Sequence, residues 1–258
     1  MTRISDRFAR LRAEGRSAFV GFVTAGDPSL DRTVDVAVSL AESGVDVLEL
    51  GVPFSDPLAD GPVIQRASER ALRQGTTLAT VLKCVRTIRQ QSDVPLLLFS
   101  YLNPLLHFGL ERLAGAAVDA GIDGVLVTDL PPEEADEWLS ISRARDLDTV
   151  FLAAPTSPPE RLARVASACR GFVYAVARTG VTGEQEQLSQ DAAPLVRALR
   201  DLTPSPVALG FGISTPDQVA AAAALADGVV VGTALVRFLE DNPEGDIGER
   251  VRWLRSGL

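Results

Sequence analysis

Residues 47–62, VLELGVPFSDPLADGP, place carboxylates in and just after an apolar, strand-like run. Glu49 lies within that run, and Asp56 and Asp60 lie in the proline-rich loop that follows. Because side chains alternate along a strand, Val47 and Glu49 share one face. Burying an ionised carboxylate without a partner is costly. We therefore expect Glu49 to point into a cleft, where partial desolvation raises its pKa and suits it to acid–base chemistry.

Each of these carboxylates also has a structural interpretation. Glu49 could pair with an arginine, Asp60 could form a turn at Asp-Gly, and Asp56 could do the same at Ser-Asp-Pro. Spacing alone does not choose between Asp56 and Asp60. Together the three side chains could also bind a magnesium ion.

Three glycine-containing segments each follow a predicted strand late in the chain: 177–187 (ARTGVTGEQEQ), 210–215 (GFGIST) and 232–236 (GTALV). Glycines let backbone N–H groups approach an anion, and the N-terminus of a following helix favours negative charge. Ser214 and Thr233 could cap such helices or donate hydroxyl groups. Each segment alone is also compatible with a tight turn. Their combination, at the ends of neighbouring strands, predicts a phosphate-binding site.

Short, continuously apolar segments alternate with amphipathic stretches along the whole chain. Continuous apolar character indicates strands that are buried on both faces, as in a parallel sheet. Eight such strands are predicted, at 18–24, 45–52, 94–101, 124–130, 149–155, 171–177, 206–213 and 228–233.

This alternation over 258 residues predicts an α/β protein, a single (β/α)8 TIM barrel whose one domain spans residues 1–258. A doubly wound open sheet is the alternative. We expect an extra helix at the N-terminus. We also expect an extended second βα unit, because helical patterns at 62–74 and 77–91 both precede the third strand. Active groups of barrels lie at the C-terminal ends of the strands, where Glu49 and the glycine segments fall.

The charge balance and the apolar segments argue against several classes of function. The chain has 25 basic and 34 acidic residues and a formal net charge of −9, without a basic stripe, so we expect no nucleic-acid partner. The longest apolar run, 219–226, is far shorter than the roughly 18 residues of a membrane span. Residues 1–15 alternate charged and apolar types at helical spacing, unlike a signal peptide. We expect Cys84 and Cys169 to be reduced core thiols and the protein to be cytoplasmic.

Scarce residue types narrow the chemistry further. Lys83 is the only lysine and falls on a predicted surface helix, which argues against Schiff-base and pyridoxal enzymes. His107 is the only histidine, whereas zinc-dependent aldolases and hydrolases generally need several. We interpret His107 as a loop or packing residue and expect no metal site built on it. Cofactor-free acid–base chemistry by carboxylates on a phosphate-bearing ligand fits these residues best.

Five motifs occur in order along the chain: FVTAGDP (22–28), LELGVPFSDPLADGPVIQRA (48–67), YLNP (101–104), RTGVTG (178–183) and GFGIS (210–214). In these motifs and in their order, the sequence resembles the tryptophan synthase alpha subunit family over nearly its whole length. The resemblance implies a (β/α)8 barrel that cleaves indole-3-glycerol phosphate to indole and glyceraldehyde 3-phosphate in L-tryptophan biosynthesis. It also implies an alpha2beta2 heterotetramer with a beta subunit that holds pyridoxal phosphate and receives the indole through a tunnel. This chain itself would hold no cofactor and no metal.

Site residues are carried over from the family by their positions in these motifs. The resemblance implies that Glu49 is the acid–base group, that Asp60 orients the indole, and that Tyr174 supports them. Phosphate would be bound by Gly183, Gly212, Gly232 and Thr233, the last of which keeps the hydroxyl of the serine often found there. The indole pocket would be lined by Phe22, Phe99, Tyr101, Leu126, Thr128 and Leu152. The lid and the partner-interface loop would include Pro53, Asp56, Arg178 and Thr182.

Other functions remain compatible with this reading of the residues. A stand-alone indole-3-glycerol-phosphate lyase would be fully active without a partner. A phosphosugar isomerase on the same fold would not need an indole pocket. A non-catalytic regulatory subunit would not need Glu49, Asp60 and Tyr174, and a magnesium enzyme would lose its activity with a chelator.

Overall fold

Parallel strands form a closed barrel in the computed structural model, which describes residues 2–176, 190–210 and 212–258. The strand segments are β1 (Ala18–Thr24), β2 (Val47–Gly51), β3 (Leu96–Ser100), β4 (Gly124–Val127), β5 (Asp148–Val150), β6 (Leu152–Ala153), β7 (Val173–Val176), β8 (Val207–Gly210) and β9 (Gly228–Val231). Their order is β5-β4-β3-β2-β1-β9-β8-β7-β6. Because β5 and β6 are separated only by Phe151, they form one barrel strand and close the ring at eight strand positions.

Helices surround this ring and also precede it. They are α1 (Arg3–Ala13), α2 (Leu30–Glu42), α3 (Pro62–Arg73), α4 (Leu78–Arg89), α5 (Leu102–Phe108), α6 (Leu110–Ala120), α7 (Asp136–Ala144), α8 (Pro159–Ala168), α9 (Ala192–Leu202), α10 (Pro216–Ala223), α11 (Thr233–Asp241) and α12 (Ile247–Arg255). A short 3₁₀ helix covers Pro132–Glu134. The extra helix α1 and the pair α3 and α4 after β2 are as predicted, and the barrel replaces the open-sheet alternative.

Two apolar layers explain why the strands are apolar throughout. Leu48 and Leu50 of β2 belong to the cluster between the strands and the outer helices. Val47 of the same strand belongs to a second cluster inside the barrel. Alternate side chains of one strand therefore fill different layers, as a barrel requires. The predicted alternation in β2 is confirmed.

One predicted strand, 149–155, is interrupted and ends early. The Phe151 N–H donates to Sγ of Cys169 (3.3 Å), while the Phe151 carbonyl accepts from the N–H of Tyr174 (3.2 Å). The thiol thus takes the donor that would otherwise continue the ladder with a neighbouring strand. Cys84 and Cys169 are both buried and free.

Helix α1 closes the N-terminal end of the barrel. Ile4, Phe8 and Leu11 on one face of this helix join the interior cluster. Phe8 packs against Phe172 with ring centroids 5.4 Å apart. The end opposite the predicted site is therefore filled with side chains. Across the described residues, no helix is both long enough and apolar enough to cross a membrane.

Aspartates at the starts of strands fasten neighbouring strands together at that same end. Asp46 accepts from the Phe19 N–H (3.0 Å), and Asp227 accepts from the Val207 N–H (2.9 Å). Asp123 accepts from the Leu96 N–H (2.8 Å) and from Arg89 Nη2 (2.8 Å). Each carboxylate thus holds the first residues of the preceding strand. These contacts stabilise the closed end and leave the other end to the site.

Replacement of Asp123 by alanine should destabilise the fold strongly. The substitution leaves Arg89 and the Leu96 N–H without their buried acceptor, so we expect the free energy of unfolding to fall by about 3–5 kcal/mol. Urea unfolding followed by circular dichroism measures this change. Asp119→Ala, an exposed aspartate on α6, is the matched control. A loss below about 1 kcal/mol for Asp123→Ala would show that the cluster acts like an ordinary surface ion pair.

Candidate active site

A cavity of about 50 Å³ lies at the C-terminal ends of the strands. Its lining combines carboxylates, aromatic rings and glycines, namely Phe22, Glu49, Asp60, Ile64, Phe99, Tyr174, Gly212, Val230, Gly232 and Thr233. These residues come from β1, β2, β3, β7 and β9, from helices α3 and α11, and from the segments that follow β2, β8 and β9. Residues far apart in the sequence are thereby brought to one place, as expected for the mouth of a barrel.

Glu49 points into this cavity from the middle of β2. The residue is only 1% exposed, and its register partners are Phe22 on β1 and Leu97 on β3. Within the described ranges, neither carboxylate oxygen has a hydrogen-bond partner. Burial raises the pKa of Glu49 to about 8. The structural alternative, a carboxylate paired with an arginine, has no support among the described side chains.

Asp60 enters the same cavity from the loop between β2 and α3. Its Oδ2 accepts a hydrogen bond from the Tyr101 hydroxyl (3.0 Å), and its carbonyl accepts from the Gln65 side chain (2.8 Å). Burial raises the pKa of Asp60 to about 6, and the Tyr101 hydrogen bond opposes that rise. Asp60 also closes a turn by donating its N–H to the Pro57 carbonyl (3.0 Å), so both interpretations of Asp60 describe real contacts.

Tyr174 completes the polar part of the cavity from β7. Its hydroxyl lies against Gly210, where an added Cβ would be 2.7 Å from the hydroxyl oxygen. Burial, and then the nearby carboxylates Glu49 and Asp60, raise the pKa of Tyr174 well above its ordinary value. The hydroxyl therefore keeps its proton at neutral pH and is available as a hydrogen-bond donor.

The two carboxyl groups of the cavity have different protonation states near neutrality. With pKa values of about 8 and about 6, Glu49 is mostly protonated and Asp60 mostly ionised at pH values between them. Two titratable groups whose environments separate their pKa values can divide the roles of acid and anion. The site can therefore donate a proton from Glu49 and stabilise positive charge with Asp60.

The far side of the cavity is suited to an anion. Gly232 is the N-cap of α11 without a side-chain cap, and Thr233 begins that helix. The neighbouring helix α10 instead begins with a capping box, in which Thr215 and Gln218 satisfy each other's backbone groups. Thr215, not Ser214, therefore caps α10. The N-terminus of α11 is left to attract negative charge at the cavity.

The six predicted indole-pocket residues fall into four places. Phe22 and Phe99 line the cavity and pack edge to face, with ring centroids 5.2 Å apart. Leu126 is fully buried in the interior layer, and Tyr101 contacts Asp60. The remaining two, Thr128 and Leu152, line a neighbouring groove of about 360 Å³.

Two lining residues were not predicted. Val230 precedes Gly232 by two positions on β9, so strand alternation would have identified it. Ile64 lies on α3, four residues after Asp60, and joins a small cluster with Phe22. No pattern in the sequence distinguishes Ile64 from the other apolar residues of α3.

Several predicted residues lie elsewhere. Arg178, Thr182 and Gly183 fall outside the described residues. Pro53 is buried at the start of the loop after β2, and Asp56 is exposed further along it. In the part of the chain that the structure describes, no group of three or more His, Cys, Asp or Glu side chains could hold a metal ion. Glu49, Asp56 and Asp60 do not form the magnesium site considered from the sequence.

Comparison with known proteins identifies the family. The model of the tryptophan synthase alpha chain family matches residues 8–254. The chain belongs to this family. Among tryptophan synthase alpha chains, that of Solibacter usitatus is 54% identical over 95% of this chain and 91% of its own length. The alpha chain from Geobacter sulfurreducens is 50% identical over 100% of this chain and 98% of its own.

Solved structures of tryptophan synthase share the fold. A chain of Mycobacterium tuberculosis tryptophan synthase is 39% identical and superposes with a TM-score of 0.93, covering 99% of this chain and 98% of that chain. The tryptophan synthase alpha subunit of Legionella pneumophila is 34% identical, with a TM-score of 0.90 and coverage of 100% and 98%. The predicted family and the predicted TIM barrel are both confirmed.

Glu49→Gln should make the stability of the protein less dependent on pH. Because the pKa of Glu49 rises from 4.5 to about 8 on folding, the folded state binds the extra proton. The contribution of Glu49 to the free energy of unfolding therefore falls as the pH rises from 4.5 to about 8, by up to about 1.4 kcal/mol for each pH unit. Urea unfolding at pH 5 and pH 9, in parallel for both proteins, should show the variant gaining stability relative to wild type at pH 9. Glu42→Gln, at an exposed glutamate, is the control. Its stability should change between pH 5 and pH 9 by the same amount as that of wild type. If wild type and Glu49→Gln differed in stability by the same amount at pH 5 and at pH 9, the raised pKa of Glu49 would be contradicted.

Proposed function

We propose that this chain cleaves indole-3-glycerol phosphate to indole and glyceraldehyde 3-phosphate by a retro-aldol reaction, as the alpha subunit of tryptophan synthase. The observation that carries the proposal is the placement of two buried carboxyl groups, Glu49 and Asp60, in one cavity. Family membership supports the same carbon–carbon lyase activity and a place in L-tryptophan biosynthesis.

Glu49 supplies the proton that begins the cleavage. Its carboxyl proton goes to C3 of the indole ring, which gives an indoleninium-like cation. The adjacent glycerol hydroxyl then loses its proton to the Glu49 carboxylate while the carbon–carbon bond breaks. The bonding electrons return to the ring, the hydroxyl becomes the aldehyde, and Glu49 regains its proton. A positioned acid–base group typically accelerates such steps by about 10²–10⁴-fold.

Asp60 stabilises the intermediate cation. As an anion it accepts a hydrogen bond from the indole N–H, whose positive charge increases when C3 is protonated. Tyr174 lies close enough for both carboxylates to raise its pKa, and we assign it a supporting role beside them. Phe22 and Phe99 provide apolar surfaces for the indole ring. The further pocket residues Leu126, Thr128 and Leu152 remain predictions.

The phosphate group binds at the glycine side of the cavity. Gly212, Gly232 and Thr233 line it, and the N-terminus of α11 adds a favourable field. Gly183 is proposed to join them.

Neither a metal nor a cofactor of this chain takes part in the proposed steps. We propose that the chain acts as one domain in the cytoplasm.

The partner is proposed to be a tryptophan synthase beta subunit that carries pyridoxal phosphate, in an alpha2beta2 heterotetramer. The loop after β2 and the outer face of α3 support this proposal, because they border a groove of about 690 Å³. Asp56 lines this groove, and Leu58 beside it is 86% exposed. Contiguous exposed apolar surface marks sites of protein–protein interaction, and this groove combines Leu58 with Phe54, Pro57 and Leu72. Arg178 and Thr182 are proposed to belong to the closing lid.

Substitution of the two carboxylates should abolish most of the activity and leave the fold unchanged. We expect Glu49→Gln to lower the rate of indole release by about 10²–10⁴-fold, because the amide can neither donate nor accept the proton. We expect Asp60→Asn to lower it by roughly 10²-fold, because the ring cation loses its counter-charge. Indole release from indole-3-glycerol phosphate measures both, with and without the beta subunit.

The exposed-residue variant Glu42→Gln serves again as the control and should retain wild-type turnover. Near-normal turnover by Glu49→Gln would remove this residue from the mechanism. A wild-type chain that is fully active alone and gains nothing from the beta subunit would favour the stand-alone lyase.

A further inference from the structure

Tyr101 links the exposed loop after β2 to the buried carboxylate of Asp60. The residue directly follows β3 and is the N-cap of α5, so its backbone lies at the C-terminal end of a barrel strand. It is only 4% exposed. Tyr101 is not among the residues that line the cavity. Its side chain instead lies between Asp60 and the loop.

The Tyr101 hydroxyl makes two hydrogen bonds that run in one direction. It accepts from the backbone N–H of Ala59 (3.1 Å) and donates to Oδ2 of Asp60 (3.0 Å). One oxygen thus holds both the main chain of the loop and the carboxylate that follows it. A hydroxyl polarised by one donor becomes a better donor to the next group. The orientation of the carboxylate therefore depends on the position of the loop backbone.

The ring of Tyr101 contacts the same loop a second time. Its centroid is 5.3 Å from that of Phe54, with an angle of 34° between the ring planes. Phe54 is half-buried, and it lines the groove of about 690 Å³ together with Asp56 and Leu58. A protein that binds in the groove and moves Phe54 would therefore also move the ring of Tyr101, without contacting the cavity.

The other side of Tyr101 is held to the barrel. The N–H of Leu102 donates to Asp129 Oδ1 (2.7 Å), and the carbonyl of Ser100 accepts from the Thr128 hydroxyl (2.8 Å). The main chain on both sides of Tyr101 is therefore tied to the segment that follows β4. The backbone of Tyr101 is thus fixed to the barrel, whereas its hydroxyl contacts Ala59 and Asp60, which belong to the loop after β2.

We propose that Tyr101 is a positioning residue that orients Asp60 for the reaction and conveys the position of the partner-covered loop to it through Phe54 and Ala59. The inference rests on the proposed function, because it assigns Tyr101 a role in the same reaction and in its activation by the beta subunit. The expectation that Tyr101 also lines the indole pocket stays a prediction.

The charges around Asp60 agree with this geometry. The hydrogen bond from Tyr101 favours the ionised form of Asp60 and opposes the rise in pKa that burial causes. Among the described residues, the other titratable groups whose charges bear on this cluster are Glu49 on β2, Tyr174 on β7 and Asp129 after β4. Loss of the Tyr101 hydroxyl should therefore raise the pKa of Asp60 further, whereas the other three groups stay in place.

Tyr101→Phe tests the positioning role in the chain without its partner. We expect kcat for indole release to fall by about 10- to 100-fold, because a hydrogen bond to a charged group is lost. We expect KM to change by less than about threefold, because phenylalanine keeps the aromatic ring and its apolar contacts. The acidic limb of the pH profile of kcat should move to higher pH, since Asp60 must be ionised. A purely structural residue would not move that limb.

Phe54→Leu tests the connection to the partner. This variant keeps the Tyr101 hydroxyl but removes the ring contact, so the acidic limb should stay in place while activation by the beta subunit falls. Phe108→Leu on α5 is the matched control, because Phe108 is half-buried and contacts Arg112 instead. The activation of this control should equal that of wild type at saturating beta subunit.

Four results separate the possibilities. An unmoved acidic limb and kcat within about twofold of wild type for Tyr101→Phe would overturn the positioning role. Wild-type activation of Phe54→Leu would overturn the connection to the partner, whether or not Tyr101→Phe folds. Wild-type protein that releases no indole would contradict the proposed function itself. The expected changes in both variants, with a normal Phe108→Leu, would support the proposal.

Discussion

The burial of one carboxyl group without a partner is the constraint on which the site depends. Glu49 lies on a strand whose neighbours on both sides are apolar, and no described side chain compensates its charge. The group therefore holds its proton to higher pH than an exposed glutamate. Burial without a partner thus keeps this carboxyl group protonated at neutral pH, at a cost in stability.

The two ends of the barrel have different roles: the N-terminal end stabilises the fold, and the C-terminal end forms the site around Glu49. Helix α1 and the aspartates at the starts of strands fill and fasten the N-terminal end. The C-terminal end carries the cavity, where Asp60 arrives from a loop and is kept ionised in part by Tyr101. Glycine at the start of α11 leaves a helix N-terminus facing the same space. Stability and chemistry thus lie at opposite ends of the same strands.

Much of this could be predicted from the sequence, because the deciding patterns are local. Continuous apolar runs located the strands, and alternation in β2 predicted that Glu49 faces away from Leu48 and Leu50. What could not be predicted depends on contacts across the fold. The break at Phe151 coincides with a hydrogen bond to the Cys169 thiol, and Tyr101 contacts a loop that comes from the end of a different strand, β2. The capping box of α10 was readable, as Thr215 and Gln218 have the required spacing.

The most direct test is a titration of Glu49 itself. The side-chain carboxyl carbons of glutamate are labelled with ¹³C, and the Glu49 signal is assigned by its absence in Glu49→Gln. Its chemical shift is then followed from pH 4 to pH 10 in the ligand-free protein. We expect a midpoint near pH 8, the raised pKa of the buried group. A midpoint near the ordinary value of 4.5 would show that Glu49 is ionised at neutral pH and would contradict its role as the acid.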